Sequence, residues 1–294
     1  MSFLRAHSLY SRTMVTTRDL SLADGRRLVV FDEAAKGGAP AALTVLWHHG
    51  SPQSGALVEP LLAAAAPRRI RLVSYGRPSY GGSSPNAGRD VASAAADVAQ
   101  IVDALGIGRF AVMGASGGGP HALACAALLP DRVIAAVTFA GPAPFTDGVD
   151  WYAGMVAPGG PQAAERGREA RARYAETEEF DENSFTPADW AALSGSWTSL
   201  GRDADEAGAA SPDGLIDDDV ALVSPWSFDV SQIEVPVLVV HGGQDRVIPP
   251  QHGDWLMRQC PTSEFWLRPL DGHISVLNAC PVAMDWLIAR AESL

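Results

Sequence analysis

Two runs in this 294-residue chain, residues 133–139 and 235–240, are mostly apolar and rich in β-branched side chains. Runs of this kind are typical of strands that are buried on both faces of a parallel sheet. Stretches such as residues 90–105 lie between strand candidates and are Ala-rich, with apolar residues at helical spacing. Strands that alternate with helices predict an α/β fold, in which helices cover both faces of a mostly parallel, doubly wound sheet.

The same two patterns recur along most of the chain, and Asp24-Gly25 predicts a tight turn between the first two strands. The predicted strands span residues 15–22, 26–33, 41–47, 70–75, 110–113, 133–139, 235–240 and 265–270. The predicted helices of this part span residues 90–105 (with Asp90 as N-cap), 120–129 and 281–291.

The alternation stops at residues 145–224, where helical patterns occur without clear strand periodicity. Residues 145–229 contain 18 Asp and Glu but only 5 Lys and Arg, whereas the rest of the chain is nearly balanced. An acidic segment inside a balanced chain is typical of an insertion with its own solvated surface. We therefore predict an α/β core formed by residues 1–144 and 225–294, with an inserted helical cap at residues 145–224.

The net charge of −12 argues against nucleic-acid binding, which requires a basic surface. No apolar run approaches the length of a membrane span, and residues 1–14 lack the apolar region of a signal peptide. Three cysteines without C-x-x-C spacing favour a reduced, cytoplasmic chain and give no metal site. We expect a small-molecule substrate, with no nucleic-acid or membrane partner and no cofactor or metal; a homo-oligomer stays open.

Residues 114–118 read Gly-Ala-Ser-Gly-Gly and form the one G-x-S-x-G match in the chain. The match follows an apolar strand candidate and precedes an Ala-rich helix candidate, which is the context of a nucleophile elbow. A serine on such a turn projects its hydroxyl above the edge of the sheet, so Ser116 is a candidate nucleophile. The alternative is a glycine-rich loop with a structural or phosphate-binding role.

A serine hydroxyl needs a base that takes its proton, and the base needs an acid that holds its tautomer. His273 follows the last predicted strand, and Asp245 follows the predicted strand at residues 235–240. Taken singly, His273 could be an exposed loop histidine and Asp245 a helix cap. Together with Ser116, they follow strands of one sheet in the chain order Ser, Asp, His, which favours a catalytic triad.

These motifs resemble those of the α/β-hydrolase superfamily, and the resemblance covers nearly the whole chain. His49-Gly50-Ser51-Pro52 resembles the family's H-G-x-P oxyanion turn, which implies that the backbone N–H groups of Ser51 and Gly117 face the oxyanion. Residues 77–83 resemble the family's R-P-G-x-G-x-S loop, with Ser79 where glycine is usual. The insertion lies where the family carries its helical cap.

Epoxide hydrolases and haloalkane dehalogenases of this fold use an aspartate at the elbow, whereas this chain has Ser116. The resemblance therefore implies a serine hydrolase that acts on an ester or lactone through an acyl-enzyme. A carbon–carbon bond hydrolase, a slow or non-catalytic ligand-binding fold, and a proline iminopeptidase remain alternatives. The usual G-G-S-W-G elbow of the iminopeptidases differs from residues 114–118. A nucleotide-dependent dehydrogenase is disfavoured because the G-x-G-x-x-G spacing fails.

The composition of the cap is the sequence's one indication of the substrate. Its aromatic and apolar side chains could line a pocket over Ser116 for an apolar acyl or ring group, or could form the core of the cap. The predicted lining residues are Trp151, Tyr152, Met155, Trp190, Trp197 and Trp226. We also expect a mobile loop at residues 211–219 and solvated acidic runs at residues 176–182 and 217–219.

Overall fold

One eight-stranded sheet runs through the residues that this computed structural model describes, 15–33 and 41–293. The strands are β1 (Thr16–Ser21), β2 (Arg27–Glu33), β3 (Leu43–His48), β4 (Ile70–Tyr75), β5 (Phe110–Ala115), β6 (Val133–Phe139), β7 (Val237–Gly242) and β8 (Ser263–Arg268). Their order in the sheet is β1-β2-β4-β3-β5-β6-β7-β8. The six strands from β4 to β8 in this order are parallel, whereas the β1–β2 and β2–β4 pairs at one edge are antiparallel. The predicted α/β class with a mostly parallel sheet is confirmed.

Two predicted strands, β4 and β6, have the predicted bounds, and the others differ by one or two residues. The prediction starts β7 at Val235, but β7 begins after Pro236, which has no N–H for a sheet hydrogen bond. The prediction places β8 two residues too late, because this edge strand opens with Ser263 and Glu264 and all of its residues are partly buried or exposed. An apolar pattern therefore defines edge strands less well than central ones.

Helices cover both faces of the sheet. They are α1 (Glu59–Ala65), α2 (Ser93–Ala104), α3 (Gly118–Leu128), α9 (Gln251–Gln259) and α10 (Cys280–Ala291) in the α/β part, and α4 (Gly159–Ala164), α5 (Arg168–Ala175), α6 (Pro187–Ser194), α7 (Thr198–Ala210) and α8 (Asp213–Leu222) in the insertion. Alternate residues of β5 face opposite sides: Phe110 packs in the core beneath α2 and α3, whereas Met113 packs in the core beneath α1 and α10. Helices α1 and α9 are absent from the sequence prediction, since both are short.

The inserted segment is helical, as its sequence indicates, but two predictions within it are wrong. Residues 213–222 form α8 instead of a mobile loop. Asp218 is fully buried and Asp219 is nearly so, although both were expected to be solvated. The run at residues 176–182 is largely exposed, as expected. The domain limits at residues 144/145 and 224/225 stay a prediction.

Three further observations bear on the compositional expectations. Among the described residues, every helix is too short or too polar to cross a membrane. Within the same ranges, no three His, Cys, Asp or Glu side chains are grouped so that they could hold a metal ion. The three cysteines are buried and unpaired. The signal-peptide prediction concerns residues 1–14, which lie outside the described residues.

Candidate active site

Ser116 lies between the end of β5 and the start of α3, on a turn that requires an unusual backbone. Its φ is +50°, in the left-handed region that side-chain-bearing residues rarely adopt. The backbone N–H of Ser116 donates to the Phe139 carbonyl of β6 at 2.8 Å, which ties the turn to the neighbouring strand. Strain of this kind persists where the surrounding structure holds it, and here it keeps the hydroxyl at the sheet edge.

Close packing requires glycine at the positions two residues before and two residues after Ser116. A Cβ on Gly114 would lie 2.3 Å from the Gly118 carbonyl oxygen, and a Cβ on Gly118 would lie 2.2 Å from the His48 carbonyl oxygen. Real Cβ atoms do not approach backbone oxygens so closely. Helix α3 can therefore begin directly against β3 and β5 only because these positions carry no side chain. The G-x-S-x-G spacing thus has a steric cause in this fold.

The structure brings Ser116, His273 and Asp245 together. The Ser116 hydroxyl lies 3.0 Å from His273 Nε2, and His273 Nδ1 lies 2.8 Å from Asp245 Oδ2. Because a carboxylate can only accept, Nδ1 carries the proton and leaves Nε2 free to accept from the hydroxyl. Asp245 is itself held by the backbone N–H groups of Val247 and Ile248, each 2.9 Å from Oδ1.

The surroundings of His273 shift its pKa upwards. Burial by itself lowers the pKa of the imidazole, but the negative charge of Asp245 and the hydrogen bond to it outweigh burial. The pKa of His273 therefore lies above its ordinary value of 6.5. A group with this arrangement can accept a proton from Ser116 more readily than an isolated histidine can.

The turn at residues 49–52 lies against the start of α3. A Cβ added to Gly117 would lie 2.6 Å from the Ser51 hydroxyl oxygen, so the two residues are in direct contact. Within the described chain, neither the Ser51 nor the Gly117 backbone N–H has a hydrogen-bond partner. Two free N–H groups, one of them on the residue that follows Ser116, are available as donors to an oxygen that acquires negative charge.

Asp218 of helix α8 binds this turn from the cap side, and sequence reasoning missed it. The Ser51 hydroxyl donates to Asp218 Oδ2, and Tyr80 donates to the same oxygen at 2.8 Å. Arg77 and Arg89 form ion pairs with Asp218 at 2.6 and 2.5 Å. Both guanidinium groups and the carboxylate are almost completely buried. The cap and the loops of the α/β part therefore share one buried ionic cluster.

The charge state of Asp218 follows from its partners. Burial alone would raise the pKa of this carboxyl, but the positive charges of Arg77 and Arg89 overcome burial and hold the pKa well below 3.8. Asp218 is thus ionised throughout the neutral range. The spacing of residues in the sequence does not predict this cluster, because Ser51 and Asp218 are 167 positions apart.

Ser79, which stands where the resembling family has glycine, adopts a backbone that glycine favours. Its φ is +73°, and its hydroxyl donates to Asp217 Oδ2 of helix α8 at 2.8 Å. The side chain thus makes a contact to the cap that glycine could not make. The departure from the family pattern keeps the loop conformation and adds a link to α8.

The six predicted lining residues do not form one pocket. Trp226 packs in the core beneath α2 and α3, and Trp197 packs in the opposite core and donates to Asn278 at 3.0 Å. Trp190 is 40% exposed and contacts Phe180 and Phe185 at the cap surface. Large aromatic side chains serve cores as readily as pockets, so composition could not separate the two roles.

Trp151, Tyr152 and Met155 form a separate cluster with Phe145. An open depression of about 570 Å³ lies beside this cluster, and its lining residues all fall within residues 145–152. The indole N–H of Trp151 donates to the Ala143 carbonyl, and Tyr152 donates to Glu165. Of the predicted lining residues, these three remain together, at the point where the chain enters the insertion.

Known proteins share this architecture. A family model described as the alpha/beta hydrolase fold matches residues 44–279. One similar solved structure is a hydrolase from Pseudomonas aeruginosa, which is 20% identical, with 94% of this chain and 98% of that one covered and a TM-score of 0.70. Another is a thermophilic esterase from Thermogutta terrifontis, which is 20% identical, with 95% of this chain and 98% of that one covered and a TM-score of 0.69. An enol-lactonase from Burkholderia xenovorans is 19% identical, with 94% of this chain and 100% of that one covered and a TM-score of 0.68. The identities are low, so these likenesses establish the fold. The family model covers most of the chain, which therefore belongs to the alpha/beta hydrolase fold family.

Proposed function

We propose that this α/β hydrolase cleaves carboxylic esters or lactones through an acyl-enzyme on Ser116. The observation that carries the proposal is the continuous hydrogen-bonded series from the Ser116 hydroxyl to His273 and on to Asp245, at 3.0 and 2.8 Å. The names of the similar structures, an esterase and an enol-lactonase, support the same class of substrate.

Each residue has a defined role in the proposed mechanism. Ser116 attacks the carbonyl carbon while His273 Nε2 accepts the hydroxyl proton, and Asp245 stabilises the imidazolium that forms. The Ser51 and Gly117 N–H groups bind the developing oxyanion. The imidazolium then gives its proton to the leaving alkoxide; for a lactone, the alkoxide stays attached to the acyl group. Water, deprotonated by His273, attacks the acyl-enzyme and releases the acid, which restores Ser116.

We propose an uncharged, partly apolar substrate. Trp151, Tyr152 and Met155 support the apolar part of this choice, since they pack together in one cluster. The three unpaired cysteines support a cytoplasmic location, where disulfides are rare.

A panel of esters of increasing acyl chain length and lactones of increasing ring size tests the function. We expect hydrolysis of at least one series by the wild type and none above background by Ser116→Ala. A fluorophosphonate should label Ser116 stoichiometrically. Labelling without turnover on the whole panel would instead favour a ligand-binding protein, and absence of labelling would reject Ser116 as nucleophile.

A further inference from the structure

Asp189, on cap helix α6, is a buried carboxylate that the proposed chemistry does not use. Its exposed fraction is 0%. The local sequence explains two of the five hydrogen bonds that the carboxylate accepts. Thr186 and Asp189 form a capping box, in which Oδ2 accepts from the Thr186 N–H at 2.9 Å and from the Thr186 hydroxyl at 2.8 Å. A capping box needs only this oxygen, so the other one is free for a second role.

The second oxygen binds the loop that carries His273. Asp189 Oδ1 accepts from the Ile274 N–H at 2.8 Å, the Ser275 N–H at 2.8 Å and the Ser275 hydroxyl at 2.9 Å. The Ser275 oxygen in turn accepts from the Gly272 N–H at 2.8 Å. Both neighbours of His273 are therefore held, Ile274 directly and Gly272 through Ser275.

The fit at this contact is close. A Cβ added to Gly272 would lie 2.1 Å from Asp189 Oδ2, so the loop backbone packs directly on the carboxylate. Hydrogen bonds to an ionised group are about twice as strong as neutral ones, and this carboxylate accepts five of them without exposure to water. The loop is thus attached to the cap at the one segment where the imidazole must be placed accurately.

We infer that Asp189 is a positioning residue: it fixes the His273 loop against the cap so that Nε2 stays within proton-transfer reach of Ser116. The inference rests on the proposed function, because it assigns Asp189 a part in the same reaction. Asp189 acts through the backbone on both sides of His273 and does not contact the reacting atoms.

The charge of Asp189 provides a readout that a purely structural residue would not have. The groups that face His273 are Ser116 from the elbow, Asp245 and His241 from β7 and the loop after it, and Asp189 from α6. Burial keeps the pKa of His241 below 6.5, which favours the uncharged form of this ring at neutral pH. Of the described residues, Asp245 and Asp189 place negative charge near the His273 imidazole. Both charges raise the pKa of His273.

The decisive experiment compares Asp189→Asn with Ser275→Ala in ester hydrolysis across pH. Asparagine keeps an acceptor for the loop but removes the charge and disturbs the capping box. We expect kcat to fall about tenfold while KM changes by less than about threefold, because no substrate contact is lost. The midpoint of the acidic limb should move to lower pH, because one of the two negative charges near His273 is gone.

Ser275→Ala removes the link to Gly272 but retains the charge of Asp189. We expect a fall in kcat of about threefold or more without a shift of the midpoint. Glu179→Gln, which changes an exposed cap carboxylate, is the matched control and should equal the wild type. If Asp189→Asn folds, an unchanged kcat or an unmoved midpoint overturns the inference. If it does not fold by circular dichroism, Ser275→Ala decides, and an unchanged kcat there overturns it.

The two proposals fail separately. If wild-type Ser116 is neither labelled by a fluorophosphonate nor active on the ester panel, the proposed function is rejected together with the role of Asp189. If the wild type is labelled and active while Asp189→Asn keeps the wild-type kcat and pH profile, only the positioning role is rejected.

Discussion

The α/β core and the cap use buried aspartates in different ways. In the core, Asp245 binds the His273 ring itself. In the cap, Asp189 binds the backbone next to His273, and Asp218 binds the Ser51 side chain and two arginines. The groups suited to chemistry thus come from the sheet edge, whereas carboxylates of the cap hold the loops on which two of those groups lie. The inserted segment therefore contributes residues that hold the loops of the candidate active site.

The largest effect should come from the core. Ser116→Ala should lower kcat for p-nitrophenyl ester hydrolysis by about 10⁵-fold, because the proposed nucleophile is lost and its partners act only with it. The far-ultraviolet circular dichroism should stay that of the wild type. Ser196→Ala, at an exposed serine of the cap, is the control and should retain full activity. Comparable losses in both variants would contradict the division between core and cap.

The cap should respond most strongly at Asp218. Asp218→Asn leaves Arg77 and Arg89 buried without a counter-charge, and we expect a loss of about 4 kcal/mol in the free energy of unfolding. Urea denaturation measures this loss. Asp213 lies on the same helix as Asp218, and Asp213→Asn breaks an exposed ion pair with Arg168 of helix α5, so it should cost less than about 1 kcal/mol. Equal costs would mean that the buried cluster does not hold the cap to the core.

Tryptophans of the two regions offer a smaller contrast. Trp226→Ala removes a side chain that is 3% exposed in the main core and should cost about 3 kcal/mol of stability. Trp190→Ala, at a cap residue that is 40% exposed, should cost less than about 1 kcal/mol. Thermal unfolding of both variants measures the difference. If KM rises in Trp226→Ala but not in Trp190→Ala, the interpretation of Trp226 as a core residue is contradicted.

The smallest expected effect is a shift of the acidic midpoint in the pH profile of the wild type. The pKa of His273 is raised, so the imidazole stays protonated to a higher pH than usual and cannot act as a base there. Activity should therefore fall as the pH decreases, with a midpoint above 6.5 in kcat/KM. A midpoint below 6.5 would mean that burial outweighs the charges that the core and the cap place beside His273.

The Ser, Asp and His positions were predictable because each follows a strand of one parallel sheet. The carboxyl ends of parallel strands meet at one edge, so strand order along the chain implies proximity in space. The glycines at positions 114 and 118 are required sterically, and this requirement is visible in the sequence as the short G-x-S-x-G motif.

The contacts of the cap were not predictable, and their residues explain why. Asp218 and Asp189 stand in an acidic segment, where solvated carboxylates are the usual expectation. Their partners Ser51 and Ser275 are 167 and 86 positions away, and no repeat or spacing links them. The same holds for Trp190, Trp197 and Trp226, which are chemically alike in sequence but lie at a surface and in two different cores.

The sequence by itself determined the α/β class, the central strands and the turn on which Ser116 lies, since these depend on local periodicity and on steric limits within a few residues. The tertiary structure alone decided which carboxylates of the insertion are buried and which loops they bind. The physical reason is that the free energy of a buried charge depends on the partners that folding brings to it. Partners from distant segments do not affect the local sequence pattern around the charged residue.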